Sequence, residues 1–259
     1  MRFVAPKPPG YGSTPPPLWA PLVGTAPGGR TLLYQRDYLM RQIEQAAQAL
    51  GRILRKALGG DPTAALAMFD QAYQPLLGVG ARVVSTLNET QLLTLLTSGS
   101  SPDLRRVASV LEVLKTEGDL HQQAGHEHEA AKCYRRALVL AGFLAARSQE
   151  ALDRDVAIAL AGHAAKLDLG LSAADRLQLA HVLEALGRYA DAEDALFEAV
   201  DEEPANTALV DAGIAFYQRL LALSPEQLEA GGLPVDEVRE SLAELLRKQV
   251  VPDDEEPWD

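Results

Sequence analysis

Apolar residues along this chain recur at three- and four-residue intervals, and no stretch sustains the alternation that a half-buried strand requires. The clearest run is Leu39, Ile43, Ala46, Leu50, Ile53 and Ala57, whose strict four-three spacing predicts a helix over 32–58 with one narrow apolar seam. Such a seam packs against the next helix of a hairpin or against its own copy in a dimer, and the adjacent hairpin partner favours the first. The same spacing predicts further helices at 64–77, 88–98, 102–124, 127–147, 150–169, 173–186, 189–202, 206–223 and 234–249. Asp61 before Pro62, and Pro102 in a first turn after Ser100 and Ser101, read as start signals. The chain is therefore expected to be all-α.

Arg176 to Pro204, RLQLAHVLEALGRYADAEDALFEAVDEEP, reads as two short antiparallel helices joined by a glycine turn. Ala180 and Ala192 stand where two helix backbones approach, and a larger side chain at either would push the pair apart. Gly187 follows LEAL and can take the left-handed conformation that ends a helix. Pro204 lacks the amide hydrogen needed to continue the second helix. Two further segments align on the same scheme. Gly125 brings Leu114, Gly118, Ala130, Tyr134 and Ala137 into register, and Gly60 brings Ala65, Phe69 and Ala72, with Ile53 replacing a small residue and Pro62 at a permissive place.

With Ala180, Leu183, Gly187, Tyr189, Ala192, Leu196, Ala199 and Pro204 in the signature places, the segment resembles a thirty-four-residue tetratricopeptide repeat. The three glycines lie 65 and 62 residues apart, so a degenerate helix pair is expected between each two, giving an irregular array of helix hairpins, an α-solenoid. YQRDYLMRQIEQAAQAL near the start, AEDALF, and GIAFYQRLLALSPEQLEAGGLPVDEVRESL near the end resemble an uncharacterised family of bacterial tetratricopeptide-like proteins over about residues 34–248. That resemblance implies a fold, no assigned reaction and no catalytic residue.

Residues 1–30 hold half of the sixteen prolines and are expected to form a disordered Pro/Gly-rich arm ahead of a helical domain over 31–250. Trp19 with Leu18, Leu22 and Val23 offers that arm a docking point, against the alternative of a plain spacer. Residues 251–259 end in PDDEEPWD, expected to be a disordered acidic tail that either solubilises the chain or docks through its tryptophan. Residues 1–60 carry a net charge of +6 and residues 226–259 a net of −8, so the two ends should attract. The whole chain, at −12, should repel nucleic acid, and the Arg36, Arg41, Arg52, Arg55 and Lys56 set is read as a solvated face. No apolar run is long enough for a membrane span, no secretory signal is visible, and the single Cys133 cannot form an internal disulfide. A soluble cytoplasmic protein is expected.

Candidate chemistry is sparse. His121, His126 and His128, interleaved with Glu127 and Glu129, match no established zinc spacing, so no metal and no cofactor is expected. His163 and His181 read as packing residues, Cys133 as a buried thiol, and Asp153, Asp155 and Asp168 as helix-surface acids. GTAPGGR lacks the lysine of a phosphate loop. The leading expectation is a non-catalytic scaffold that binds a protein or peptide in a groove lined by the first helices of its repeats. The tetratricopeptide resemblance implies that Lys115, Thr116, Gln122, Gln178, His181 and Glu184 face such a groove. It implies no carboxylate clamp, because Asp119 stands where an asparagine belongs opposite Lys115. The alternatives are a self-associating structural protein, a homo-oligomer, and a metal protein using the 121–128 histidines.

Overall fold

The structure is a computed structural model that describes residues 28–98, 102–167 and 169–250, with no strand among them. The arm over 1–27, Asp168 and the tail over 251–259 lie outside the described residues, and so do the expectations placed on them. Internal contacts divide the chain at Tyr38–Leu39, and the packing below belongs to the unit Leu39–Asp259. The helices run in the order α1 (Gly28–Leu58), α2 (Pro62–Leu66), α3 (Asp70–Leu77), α4 (Ala81–Val84), α5 (Glu89–Thr97), α6 (Leu104–Gln123) and α7 (Glu127–Ala145). After a short three-ten turn at Gln149–Ala151 come α8 (Arg154–Lys166), α9 (Ala173–Ala185), α10 (Tyr189–Glu202), α11 (Thr207–Leu220), α12 (Pro225–Ala230) and α13 (Val235–Val250). No helix among the described residues is long and apolar enough to cross a membrane.

Polar caps set most of the starts. Asp61, Asn88, Asp103, Asp153, Ser172, Asn206 and Ser224 each accept a hydrogen bond from an amide of the following turn. Two expectations change here. The cap of α6 is Asp103, which leaves Pro102 ahead of the helix, and Asp153 is a cap and not a plain surface acid. The helix expected over 64–77 is divided: Met68 N–H donates to Ala65 O at 3.0 Å and Gln71 N–H to Met68 O at 3.0 Å, tightened bonds that separate α2 from α3. Short helices α4 and α12 escaped the spacing analysis because they are too brief to show a period.

The glycine turns behave as their residue type demands. Gly125 (φ 77°) closes α6 against α7 and Gly187 (φ 76°) closes α9 against α10, both left-handed. Each pair is an antiparallel hairpin, with Gly118 of α6 against Tyr134 of α7 and Arg176 of α9 ion-paired with Glu198 and Glu202 of α10. Between these hairpins stands α8 with the three-ten turn, in place of the full helix pair expected there.

Two apolar clusters fill the interior of the described residues. The first gathers Ile53, Phe69, Tyr73, Leu92, Leu114, Tyr134, Leu140 and Leu160; the second gathers Ala180, Leu183, Ala192, Leu196, Tyr217 and Leu245. Helix α9 serves both, giving Val182 to the first and Ala180 and Leu183 to the second. Three tyrosines without solvent exposure carry their hydroxyls to carboxylates: Tyr73 donates to Glu117 at 2.5 Å, Tyr134 to Asp119 at 2.9 Å and Tyr217 to Glu193 at 2.6 Å. Each bond satisfies a polar atom that burial would otherwise leave costly. Burial raises the Glu117 and Glu193 carboxyls above their ordinary value even so.

Helices touch most closely where a side chain is missing. A methyl group at Gly118 would lie 2.8 Å from the Tyr134 ring, and one at Gly142 would lie 2.6 Å from the Gln178 carbonyl oxygen. Gly118→Ala and Gly142→Ala are each expected to destabilise the fold by about 1–3 kcal/mol through overpacking. Urea titration should show a lower midpoint with an unchanged slope. A midpoint equal to that of the wild type in either variant contradicts the closeness of the corresponding helix pair.

Candidate functional site

Gly142 lets α7 and α9 approach until the backbone of Gln178 abuts it, and that approach sets the position of a cleft at the C-terminal end of α7. Gln178, His181 and Glu184 follow one another at three-residue intervals and so share a face of α9. That face borders two cavities. The larger, about 470 Å³, is lined by Leu93 and Thr97 of α5, Pro102, Phe143, Ala146, Arg147, Gln178 and His181. The smaller, about 150 Å³, lies between Ala145, Ala146, Gln149, His181, Glu184 and Arg219 of α11. His181 and Ala146 belong to both.

The chemistry of the walls is mixed. The Arg147 guanidinium lies 3.6 Å from the centre of the Phe143 ring, a cation stacked flat on an apolar wall. Its Nη1 also reaches the Phe143 carbonyl oxygen at 3.5 Å, and no carboxylate among the described residues pairs with it. Glu184 is already engaged, because Arg219 Nε and Nη2 donate to its two oxygens at 2.7 Å each. This fork ties α9 to α11 and holds the Arg219 guanidinium above its ordinary pKa through that hydrogen bonding. Nδ1 of His181 is buried with no hydrogen-bond partner. Burial also lowers the His181 pKa, so the ring stands neutral at pH 7 and offers one donor and one acceptor.

The six residues expected on one groove fall into two places. Gln178, His181 and Glu184 meet at the cleft. Lys115 and Gln122 belong to a polar network around Tyr134 instead: Lys115 Nζ contacts Asp119 at 2.8 Å, and the Tyr134 hydroxyl lies 2.9 Å from Asp119 and 3.1 Å from Gln122. His163 of α8 stacks on the Tyr134 ring at 3.9 Å. Thr116 is buried, and its hydroxyl donates to the Glu112 carbonyl oxygen within α6. The spacing along first helices missed the contributions of α5, α7 and α11. The Phe143–Arg147 pair, four residues apart at a helix end, was the one local signal that pointed there.

The residues considered for chemistry are placed as follows. His121 and His126 face each other with Nδ1 atoms 3.3 Å apart, while among the described residues no three His, Cys, Asp or Glu side chains gather as a metal ion would need. Burial pushes the Cys133 thiol well above its ordinary pKa, so it is not a thiolate. Arg52 donates to Gln71 and Lys56 pairs with Asp61, both at exposed positions of α1.

Comparison with known proteins matches the chain to the family described as "Family of unknown function (DUF6483)", over residues 33–250. The chain belongs to that family. No curated protein matches it, and no solved structure does.

The unpartnered imidazole has a consequence for stability. The folded state holds His181 below the ordinary value of 6.5, so the unfolded chain takes up the proton first as pH falls. Its contribution is complete above 6.5 and is withdrawn as pH drops toward the lowered value. Chemical denaturation across that window should show a smaller acid loss for His181→Gln than for the wild type. His121 and His163, lowered by burial as well, are present in both proteins and cancel in the comparison. An equal or steeper loss in the variant contradicts a buried, unpartnered ring.

Proposed function

We propose that this chain, a member of a family whose function is unassigned, is a non-catalytic interaction scaffold that takes an extended peptide or a partner helix at the cleft between α5, α7 and α9. The observation that carries the reading is the composition of the larger cavity. An apolar wall of Leu93, Phe143 and Pro102 faces the amide of Gln178, the neutral ring of His181 and the guanidinium of Arg147. Apolar surface with a few convergent polar groups suits a side chain plus its backbone. The polar groups here include both donors and acceptors, as a peptide backbone requires.

The tetratricopeptide-like reading of the α6–α7 and α9–α10 hairpins supports the same conclusion. Both pairs turn on a left-handed glycine, and Ala180 and Ala192 are buried at the contact of the second pair. Folds of this kind present side chains from successive helices along one surface and use them for partner recognition. Specificity then resides in a few residues of that surface and not in the fold.

A peptide-display library panned against the full chain tests the proposal. Enrichment of peptides sharing an apolar residue beside a carboxylate is expected, with binding lowered at least about tenfold, or 1.4 kcal/mol, by Arg147→Glu and by Gln178→Arg. Arg147 is exposed while Gln178 is half-buried against Gly142, so circular dichroism of each variant checks that the helices persist before its binding is compared. Peptide binding that is indifferent to both changes overturns the assignment of the cleft.

A further inference from the structure

The acidic C-terminal segment, residues 251–259, has no place in the reading above, yet its chemistry complements the cleft. We propose that this segment is itself an occupant of the cleft, its carboxylates meeting Arg147 and the Trp258 indole entering the larger cavity. The inference rests on the cleft being a peptide-binding site, and it names which peptide of this chain fills it.

Three observations converge. Charge is the first: Asp253, Asp254, Glu255, Glu256 and Asp259 give the segment five side-chain carboxylates and no base. Among the described residues, the cations lining the two cavities are Arg147 and Arg219 and the carboxylate is Glu184, which Arg219 already holds in a fork. Arg147 is left with an uncompensated charge, laid flat on Phe143 at 3.6 Å. A planar guanidinium in that pose presents its edge to a carboxylate and needs little further ordering to bind one.

Shape is the second. The larger cavity, about 470 Å³, has Leu93, Phe143 and Pro102 on its walls and Gln178 and His181 at its side. An indole buries its faces on such walls while its N–H needs one acceptor, which the side-chain carbonyl oxygen of Gln178 supplies. A large aromatic ring seated in a pocket, with charged neighbours at the rim, is the usual anatomy of a short docking peptide.

Reach is the third. Helix α13 runs antiparallel to α11, with Leu245 against Gly213 and Ser241 beside Tyr217. From the end of α13 at Val250 to the level of Arg219 on α11 is therefore about 17 Å along the helix axes, at 1.5 Å per residue. Nine extended residues span up to about 30 Å and the eight that lead to Trp258 about 26 Å, both more than that axial separation, so the segment is long enough to come level with Arg219. Docking in this way makes the segment a competitor of any partner peptide, with an effective concentration that no free ligand matches at ordinary levels.

The full chain carrying Trp19→Phe leaves Trp258 as its one tryptophan and makes it a reporter. Blue-shifted emission is expected, together with acrylamide quenching severalfold weaker than for the synthetic peptide VPDDEEPWD in buffer. Adding Arg147→Glu should return both readings to those of the peptide, and high salt should move them the same way. Circular dichroism checks that the helices persist in the variant. Emission and quenching equal to the free peptide in the Trp19→Phe protein overturn the proposal, as does protection that Arg147→Glu leaves intact. Protection that grows with protein concentration, with a doubled mass in light scattering, also overturns it, since the occupant is then a second copy. If Trp258 is unprotected while library peptides still bind the cleft, only the assignment of the segment fails. If neither binds, the cleft itself is misread.

Discussion

Close approach of helix backbones is the constraint on which the rest of this protein depends. Gly118 admits the Tyr134 ring between α6 and α7, Gly142 admits the Gln178 backbone between α7 and α9, and Gly213 admits Leu245 between α11 and α13. Each is a place where an ordinary side chain would force the pair apart, and each lies at a different helix–helix contact. Helix α9 consequently packs on α7 with one face and on α10 with another, joining the two apolar clusters through Val182, Ala180 and Leu183. The larger cavity of the cleft lies beside that α7–α9 contact, with Phe143 of α7 and Gln178 and His181 of α9 on its walls.

Backbones this close leave little room to hydrate polar atoms, and the structure answers with direct pairing. Tyr73, Tyr134 and Tyr217 are the large rings that fill the contacts, and each hands its hydroxyl to a carboxylate on a neighbouring helix. Such a bond is worth little net, but losing one partner strands the other in a dry site. The pairing therefore fixes which helix faces which more than it adds stability. The Arg219–Glu184 fork works at the surface with a smaller effect, because water and salt reach it.

The helical class was legible in the sequence because a 3.6-residue period survives in long helices such as α1, α6 and α7. The turns were legible because only glycine takes φ near +76° without penalty, as at Gly125 and Gly187. What stayed hidden was short or discontinuous. Helices α4 and α12 are too brief to carry a period, and the tightening around Met68 depends on tertiary fit. At the cleft, Gln178, His181 and Glu184 share one face of one helix, a local property that sequence spacing carries. Arg147, Phe143, Leu93 and Arg219 were missed because they come from three other helices and their ends, whose convergence is set by packing and has no one-dimensional signature. Lys115, Thr116 and Gln122 were assigned by analogy with first-helix positions, and the Tyr134 network and the interior of α6 claim them instead.

The electrostatic state of the cleft follows from the same packing. Burial lowers the His181 pKa and leaves the ring neutral at pH 7, and Glu184 is engaged by Arg219. Of the cleft's lining residues, Arg147 keeps an uncompensated charge, and its stacking on Phe143 fixes the plane in which that charge is offered. A site with one oriented cation, a neutral ring and an apolar wall has the means to hold a carboxylate and a hydrophobic group a few ångströms apart.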